Sequence, residues 1–387
     1  MSINILLTGG RAPATYYFAR LLKEQGHTLF MAESLPKHLC MRSNLFEKNF
    51  HVPAPNENRH AFIQDLIDII RSNNIDLLIP TCEEIFHISF GYEQLSNYCR
   101  VFCEPLEKIN AFHHKGLFIE TLKKVSSEWI RIPSTIVVDT TKTSSKTELS
   151  HILEKSRISL KMEYVCKPAY SRFGTEVVYK KGGEMIDFLL LNKNLWVVQE
   201  KIEGRQLCTY AIADNGQMNY YSAYPSNDQV GLGATIYFEP FSNRRLEEFV
   251  ACYIKEFNYT GQIAFDVIMT DKGEFYPIEC NPRTTSGICL FPVKKHAKTS
   301  DSYSIGSETT MLGLVMLQTL LSKNPFRQLR KMKKARDIVW NPKDKKVFFD
   351  QIASFFYLLK EAKKHNLSTY HMSTLDIEWN GRKDDQQ

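Results

Sequence analysis

The first hundred residues alternate short apolar runs with polar and amphipathic stretches. The apolar runs at residues 3–7, 28–32, 75–80 and 101–104 have the length and composition of buried strands. The stretch after the first run carries apolar residues at helical spacing, and Gly26 marks its end. Because strands and helices alternate, the pattern predicts a parallel sheet with right-handed helical crossovers.

Two β-rich runs in the second half of the chain flank a turn at residues 270–273. This arrangement predicts a hairpin. Glu279 and Asn281 are two residues apart and share one face of their strand, and Asp266 lies on the partner strand. Their oxygens suit Mg²⁺, which takes one or two carboxylates and completes its shell with water and phosphate oxygens. A solvated polar hairpin would have the same pattern.

A second polar pattern begins at Lys167, which follows a short apolar strand and precedes a loop of small residues. The loop contains Ser171, Arg172 and Gly174 and leads into another β-rich run. Backbone N–H groups of such a loop can surround phosphate oxygens, and glycine allows their close approach. Lys167 would add a point charge for a phosphate group. A hairpin with an exposed lysine is the alternative.

Two further segments carry candidate contacts for a ligand. A predicted strand at residues 196–199 ends in charged residues and Gly204. A predicted helix opens at Phe112, with Lys115 near its start. Taken alone, each segment is equally compatible with solvated charges.

Together and in this order, the four segments resemble the ATP-grasp superfamily. Members share a Glu-x-Asn-Pro-Arg ending on their metal-binding strands, which residues 279–283 reproduce. The resemblance implies an ATP site with Mg²⁺ as the metal, or Mn²⁺ in its place. It implies three metal ligands, namely Asp266, Glu279 and Asn281.

The resemblance also implies a set of nucleotide contacts. The backbone of Glu200, Lys201 and Ile202 would face adenine, and Glu203 or Gln206 would bind the ribose. Gln206 stands where members often have Glu, and the phosphate loop has one glycine where members often have three or more. The implied contacts are Lys115, Lys167, Ser171, Arg172, Gly174, Glu200, Lys201, Ile202, Glu203 and Gln206.

The fold implied is α/β with three regions. Residues 1–110 would form the Rossmann-like parallel-sheet domain that precedes the grasp in many members. Residues 111–295 would form the two-part ATP-grasp α+β domain, with a small mobile lid at about 134–198, and residues 296–387 a mainly helical segment. The string at residues 8–14, Thr-Gly-Gly-Arg-Ala-Pro-Ala, resembles the opening of carbamoyl-phosphate-synthase-like members.

The turn after the first strand breaks the Gly-x-Gly-x-x-Gly fingerprint of dinucleotide sites. A dehydrogenase remains an alternative, because Glu33 ends the second strand as a ribose-binding acid would. Arg11 lies where a substrate anion could bind, at a strand end beside a helix start. Thr81, Glu83 and Glu84 follow another strand end and could line the same crevice. A buried structural role is the alternative for each of these residues.

Composition limits the class of protein and its partners. The chain has 387 residues, of which 43% are hydrophobic and 24% charged, as expected for a globular protein of two or three domains. Nine cysteines without a Cys-x-x-Cys pair predict reduced thiols and a cytoplasmic location. A net charge of +6 and a longest apolar run of residues 311–321 predict neither a nucleic-acid nor a membrane partner. The basic cluster at residues 323–336 favours a solvated face over a membrane-surface or nucleic-acid patch.

The resemblance implies an ATP-dependent carboxylate–amine ligase. ATP would phosphorylate a small-molecule carboxylate, an amine would attack the acyl phosphate, and ADP and phosphate would leave. Arg283 and Lys167 would be catalytic, and a homodimer is compatible with the sequence. Two alternatives remain: a carboxyphosphate-forming kinase resembling part of carbamoyl phosphate synthetase, and a nucleotide-binding module without turnover.

Overall fold

The computed structural model describes residues 2–125, 128–143, 145–156, 158–159, 161–170, 177–227, 229–230, 234–293, 298–299, 303–319 and 324–381. Within these ranges a five-stranded, a four-stranded and a six-stranded sheet form the framework. The predicted α/β fold class is confirmed: an N-terminal parallel sheet is followed by an antiparallel and a mixed sheet and by a helical C-terminal region.

The N-terminal sheet is parallel, with its strands in the order β3-β2-β1-β4-β5. Its strands are β1 (Asn4–Thr8), β2 (Thr28–Glu33), β3 (Phe46–His51), β4 (Leu77–Ile79) and β5 (Arg100–Val101). Helices cover it: α1 (Pro13–Glu24), α2 (Arg59–Ser72), α3 (Ile85–Phe90), α4 (Tyr92–Ser96) and α5 (Leu106–His113). The apolar runs predict four of the five strands. The edge strand β3 escapes prediction because its middle residues are exposed and polar.

The four-stranded sheet is antiparallel and carries Lys167. Its order is β6-β9-β7-β8, formed by β6 (Thr135–Asp139), β7 (Glu163–Pro168), β8 (Val178–Lys181) and β9 (Leu195–Glu200). Helices α7 (Lys146–Lys155) and α8 (Gly182–Leu191) contribute Leu149, Leu153 and Met185 to the buried cluster that includes Trp196 of this sheet.

The six-stranded sheet holds the predicted metal hairpin at its edge. Its order is β16-β15-β10-β11-β18-β17. These are β10 (Arg205–Asp214), β11 (Gln217–Pro225), β15 (Gly261–Met269), β16 (Phe275–Asn281), β17 (Lys298–Thr299) and β18 (Ser304–Ile305). Helix α9 (Arg244–Glu256) packs on one face, where Tyr253 meets Phe265 of β15 at 4.9 Å between ring centroids. Burial of each such aromatic contributes about 1.5–3 kcal/mol.

The remaining elements connect these sheets or extend beyond them. They are α6 (Lys115–Leu122), β12 (Gln229–Val230), β13 (Ala234–Thr235), β14 (Tyr237–Phe238), a 3-10 helix (Ser286–Leu290), β19 (Thr310–Met311), α10 (Gly313–Gln318), α11 (Pro325–Lys334), β20 (Arg336–Asp337), α12 (Lys346–His365) and α13 (Thr369–Met372). The last described residues return to the N-terminal domain, where Trp379 is buried. None of the helices in the described ranges has the length and apolar character needed to cross a membrane.

One local prediction is wrong. The helix that carries Lys115 does not open at Phe112, because Phe112 lies near the end of α5 and α6 begins at Lys115. His114 separates the two helices with extended backbone, and its Nδ1 accepts from the N–H groups of Gly116 and Leu117 at 3.1 Å each. This cap satisfies two N–H groups that lack a partner within the helix.

Candidate active site

The β15–β16 hairpin brings three predicted metal ligands together. Asp266 lies directly opposite Glu279 in the antiparallel register, and Asn281 is two residues further along β16. The Asn281 Nδ2 donates to Asp266 Oδ2 at 3.3 Å. Cys280, between the two β16 residues, is fully buried in the core beneath α9. The alternation of a strand therefore separates a polar face from a packed one.

A β-bulge interrupts this hairpin beside the polar face. Asp266 pairs with Glu279 and Val267 pairs with Pro277, so Ile278 is the extra residue of β16. Its carbonyl oxygen accepts from Lys167 Nζ at 2.9 Å. The irregularity thus supplies an acceptor for a lysine that comes from a different sheet.

Asp266 lies in an environment that disfavours its charge. Burial and the nearby Glu279 carboxylate together raise the pKa of Asp266 to about 6. Cys208 Sγ donates to Asp266 Oδ1 at 3.0 Å. A divalent cation between the two carboxylates would remove their repulsion. Two carboxylates and one amide form the donor set that Mg²⁺ uses when phosphates and water complete its shell.

Among the described residues, no group of three or more His, Cys, Asp and Glu side chains is placed to hold a metal ion. Asp266, Glu279 and Asn281 supply only two such side chains plus an amide. The arrangement therefore fits a metal that is held jointly by the protein and a ligand.

Two buried lysines flank the carboxylates. Lys115, the first residue of α6, is 2% exposed and places its Nζ 3.9 Å from Glu279 Oε1. Lys167 on β7 is 4% exposed and donates to Gln199 Oε1 at 2.9 Å as well as to Ile278. Burial lowers the pKa of Lys167 to about 8, and the charge of Lys115 contributes while Glu279 opposes the shift.

Arg283 is held at the end of the hairpin by the N-terminal domain. Its Nε donates to Glu83 Oε1 at 2.9 Å, and its Nη2 lies 3.4 Å from Asn281 Oδ1. Glu83 is 3% exposed and follows β4, so the ion pair joins the parallel sheet to the metal-binding hairpin. The fixed guanidinium faces the same side of the hairpin as Asn281.

The predicted adenine and ribose contacts lie on the connection from β9 to β10. Glu200 ends β9, and its carboxylate accepts from Ser134 N at 3.2 Å. Lys201 forms ion pairs of 2.8 Å with both Glu163 and Glu203. The Glu203 side chain is 82% exposed.

Ile202 follows Lys201 and is half-buried, and Gln206 is an exposed residue of β10 whose carbonyl accepts from Ser226 N at 3.1 Å. The connection thus lies between the lysine-bearing sheet and the metal-bearing sheet. Its contacts with a nucleotide remain predictions.

The structure describes the residues on either side of the predicted phosphate loop. Ser171, Arg172 and Gly174 lie outside the described residues. Tyr170, just before the loop, donates from its hydroxyl to Asn110 Oδ1 at 3.0 Å. Trp379 Nε1 donates to the same oxygen at 3.0 Å. Asn110 therefore links the C-terminal tail to Tyr170, the last described residue before the loop.

Arg11 is buried in ion pairs with other protein side chains and is not free to bind a substrate anion. Its guanidinium donates to Glu33, and to both oxygens of Asp376 at 2.6 and 2.7 Å. Ser34 Oγ also donates to Asp376, at 2.7 Å. Glu33 forms an ion pair with Arg11 and accepts a hydrogen bond from the N–H of Leu35. This arrangement argues against the dinucleotide interpretation.

Three residues near the site were not predicted to contact its charged groups. Gln199 orients Lys167, Cys208 donates to Asp266, and Glu83 holds Arg283. Gln199 could have been noticed as a polar side chain within the apolar run of β9, where burial needs a hydrogen-bond partner. The other two contacts depend on tertiary structure alone.

A family model matches the central part of the chain. Residues 119–287 match the family model described as an ATP-grasp domain. The range includes Lys167, Gln199, Asp266 and the whole β15–β16 hairpin, and begins four residues after Lys115. The match covers less than half of the chain, and this part of the chain is similar to ATP-grasp domains. A search of curated protein sequences finds no match.

Solved structures share the fold at low sequence identity. The ADP complex of N5-carboxyaminoimidazole synthetase from Staphylococcus aureus is 12% identical, with a TM-score of 0.61 over 84% of this chain and 86% of that one. L-amino acid ligase from Bacillus licheniformis is 13% identical, with a TM-score of 0.58 over 76% and 71%. The biotin carboxylase domain of Hydrogenobacter thermophilus 2-oxoglutarate carboxylase, with MgADP, ADP and bicarbonate, is 13% identical, with a TM-score of 0.57 over 74% and 65%.

Proposed function

We propose that this protein is an ATP- and Mg²⁺-dependent ligase that activates a carboxylate as an acyl phosphate for attack by an amine. ADP and phosphate would be released. The observation that carries this proposal is the convergence of two carboxylates, two buried lysines and one anchored arginine on one side of the β15–β16 hairpin.

The residues present fit Mg²⁺ and a nucleotide. Asp266, Glu279 and Asn281 would hold the metal, since their oxygens share a strand face and the charge on Glu279 disfavours ionisation of Asp266. Lys115 and Lys167 would hold phosphate oxygens. Both ammonium groups are buried beside the carboxylates, where a phosphate would offset the cost of their burial.

The chemical step needs alignment and charge stabilisation more than a protein nucleophile. When bound, Mg²⁺ would neutralise charge that develops on the transferred phosphoryl group. Lys167 keeps its ammonium in place through Gln199 and Ile278. Arg283 keeps its guanidinium in place through Glu83, and would stabilise the transferred group or the tetrahedral oxyanion that follows.

The domain assignment accompanies this proposal. Residues 1–110 would precede the grasp, residues 111–295 would form it with a lid at about 134–198, and residues 296–387 would extend it. The Glu200–Ile202 backbone would face adenine, with Glu203 or Gln206 at the ribose. These residues connect the two sheets that would enclose the nucleotide.

The comparisons support a ligase, and they favour two candidates for the acid that ATP would phosphorylate: a carboxylate and bicarbonate. One similar structure is an L-amino acid ligase, which favours a carboxylate and an amine as substrates. Another contains bicarbonate together with MgADP, which favours carboxyphosphate formation as the second candidate function. In both reactions an acid oxygen attacks the terminal phosphate, so the same residues serve either.

Release of ADP and phosphate tests the proposal. Purified protein is incubated with Mg²⁺-ATP and, separately, pooled amino acids with small carboxylic acids, or bicarbonate. We expect pool-dependent release that is lost in Glu279→Gln and kept in Glu274→Gln. Glu274 is a matched control because it precedes the same strand but pairs with Arg131 at 3.0 Å, away from the lysines.

The outcomes separate the candidate functions. Release that depends on bicarbonate alone would establish the carboxyphosphate reaction. AMP and pyrophosphate as products would overturn the acyl-phosphate mechanism. Nucleotide binding without release in any pool would favour a nucleotide-binding module, and equal release by Glu279→Gln would refute the metal site.

A further inference from the structure

Helix α12 exposes several of its larger apolar side chains and buries smaller ones. Helix α12 has 20 residues, and its buried positions are Val347, Asp350, Ser354 and Ala362. The rest of its surface carries Phe349, Phe355, Phe356 and Leu359, which are 60%, 48%, 64% and 39% exposed. A surface helix normally directs its bulky apolar side chains inward. Exposed apolar patches of this kind mark interaction sites.

Together with the half-buried Phe348 and Ile352, these exposed apolar residues form one continuous stripe on α12. Residues 348 and 349, 352, 355 and 356, and 359 follow one another at helical spacings of three and four. The stripe continues past the helix start, because Phe348 contacts Trp340 at 5.4 Å between ring centroids, and Trp340 is 44% exposed.

Helix α11 has the same combination of exposed apolar and basic residues. None of its side chains is buried, and Phe326 and Leu329 are 83% and 43% exposed. Its ten residues include Arg327, Arg330, Lys331, Lys333 and Lys334 and no acid. Lys and Arg beside exposed Phe and Leu are typical of helices that lie in the membrane interface.

The charge of this region differs from that of the rest of the chain. Residues 324–365 contain twelve Lys and Arg and four Asp and Glu, a formal charge of +8, whereas the whole chain carries +6 and the remainder therefore −2. Two of the acids, Asp344 and Asp350, are buried, and Asp350 pairs with Arg42. A third, Asp337, accepts from the N–H groups of Val339 and Trp340. The cations are left to dominate the exposed surface.

We propose that α11, α12 and Trp340 form a peripheral binding surface for an anionic lipid bilayer. Anionic headgroups would meet the lysines and arginines, and Phe326, Phe349 and Phe356 would enter the interface. A second copy of this chain fits less well, since cationic residues lie at both ends of α12 and would repel those of the copy. A nucleic acid would satisfy the cations but leave the aliphatic part of the stripe in water. The surface requires no membrane-spanning helix.

Vesicle flotation of the full chain tests this surface. We expect the protein to float with vesicles of phosphatidylcholine and phosphatidylglycerol, and not with phosphatidylcholine alone. Phe349→Ser with Phe356→Ser should weaken binding at least about tenfold. The control is Leu191→Ser, which removes an 83% exposed apolar side chain from α8 and should leave binding unchanged.

A charge reversal tests the electrostatic part. Arg327→Glu with Arg330→Glu should weaken vesicle binding at least about 25-fold, at about fivefold for each cation removed. Arg244→Glu on α9, whose side chain is 91% exposed, is the matched control. Absence of flotation with anionic vesicles, or equal flotation of the serine variant, would overturn the proposal. A dimer that dissociates in the serine variant, without vesicle binding, would assign the surface to a second copy instead.

Discussion

Replacing Gln199 with leucine should shift the pH range over which the protein binds nucleotide. Gln199 is 2% exposed, and its Oε1 is one of two acceptors for the buried Lys167 ammonium. Leucine has a similar volume but accepts no hydrogen bond. The ammonium would keep only the Ile278 carbonyl, so its charged form would become less stable.

The magnitude follows from the hydrogen bond that is lost. A hydrogen bond to a charged group is worth about 1.5–3 kcal/mol, and about 1.4 kcal/mol corresponds to one pKa unit. Starting from a pKa of about 8, Gln199→Leu should lower the pKa of Lys167 by about one unit or more. At pH 8 the protonated fraction would then fall from about half to about a tenth, and nucleotide affinity by about fivefold. At pH 6 both proteins would be protonated and bind alike.

Calorimetric titration with a non-hydrolysable ATP analogue and Mg²⁺, across pH 6 to 9, measures this shift. Gln199→Glu should move the profile in the opposite direction, because a carboxylate stabilises the ammonium. Thr135→Val is the control, since Thr135 Oγ1 accepts from Gln199 Nε2 at 3.0 Å and does not contact the lysine. Identical pH profiles for the wild type and Gln199→Leu would refute the role of Lys167 as a phosphate ligand.

Three further perturbations address other parts of the structure. Arg283→Lys should lower kcat about 10²–10³-fold with little change in ATP affinity, and steady-state kinetics with an unchanged kcat would contradict its role. Asp376→Asn should lower the free energy of unfolding by about 2 kcal/mol near pH 7, measured by urea titration. Burial raises the pKa of Asp376, but Arg11 and Ser34 together lower it below its usual value. The difference in stability should therefore shrink progressively as pH falls below about 4, and a pH-independent difference would exclude the ion pair. Trp379→Ala should lower the free energy of unfolding by about 3–5 kcal/mol in the same urea titration. A loss under about 1 kcal/mol would contradict the place of Trp379 in the core.

The sequence was most informative where local chemistry decides the structure. Gly273 has a φ of +75° in the turn between β15 and β16, as the predicted hairpin requires. Strand alternation then places Glu279 and Asn281 on one face, and the register adds Asp266. The parallel sheet followed similarly from its buried apolar runs.

The remaining features depend on contacts between distant parts of the chain. Arg11 meets Asp376 across 365 positions, and Arg283 meets Glu83 across 200. No spacing rule relates such residues, because their proximity follows from how the domains pack. The role of the bulge at Ile278 could not be predicted either, since its carbonyl accepts from Lys167, which comes from a different sheet.

The exposure of the stripe on α12 could not be predicted from the sequence. Phe348, Phe349, Phe355 and Phe356 have the spacing of a core-facing helix, and that spacing alone does not say which face is covered. The structure shows smaller side chains packed inward, whereas Phe349 and Phe356 are more than half exposed. This exposure is the observation on which the proposed peripheral binding surface rests.

The most direct measurement is Mg²⁺-dependent binding of a non-hydrolysable ATP analogue, by calorimetry, to the wild type, Glu279→Gln and Glu274→Gln. The proposed site predicts that the wild type and Glu274→Gln bind more tightly when Mg²⁺ is present, and that Glu279→Gln loses this dependence. Binding by Glu279→Gln with the full Mg²⁺ effect, or no nucleotide binding by the wild type, would contradict it.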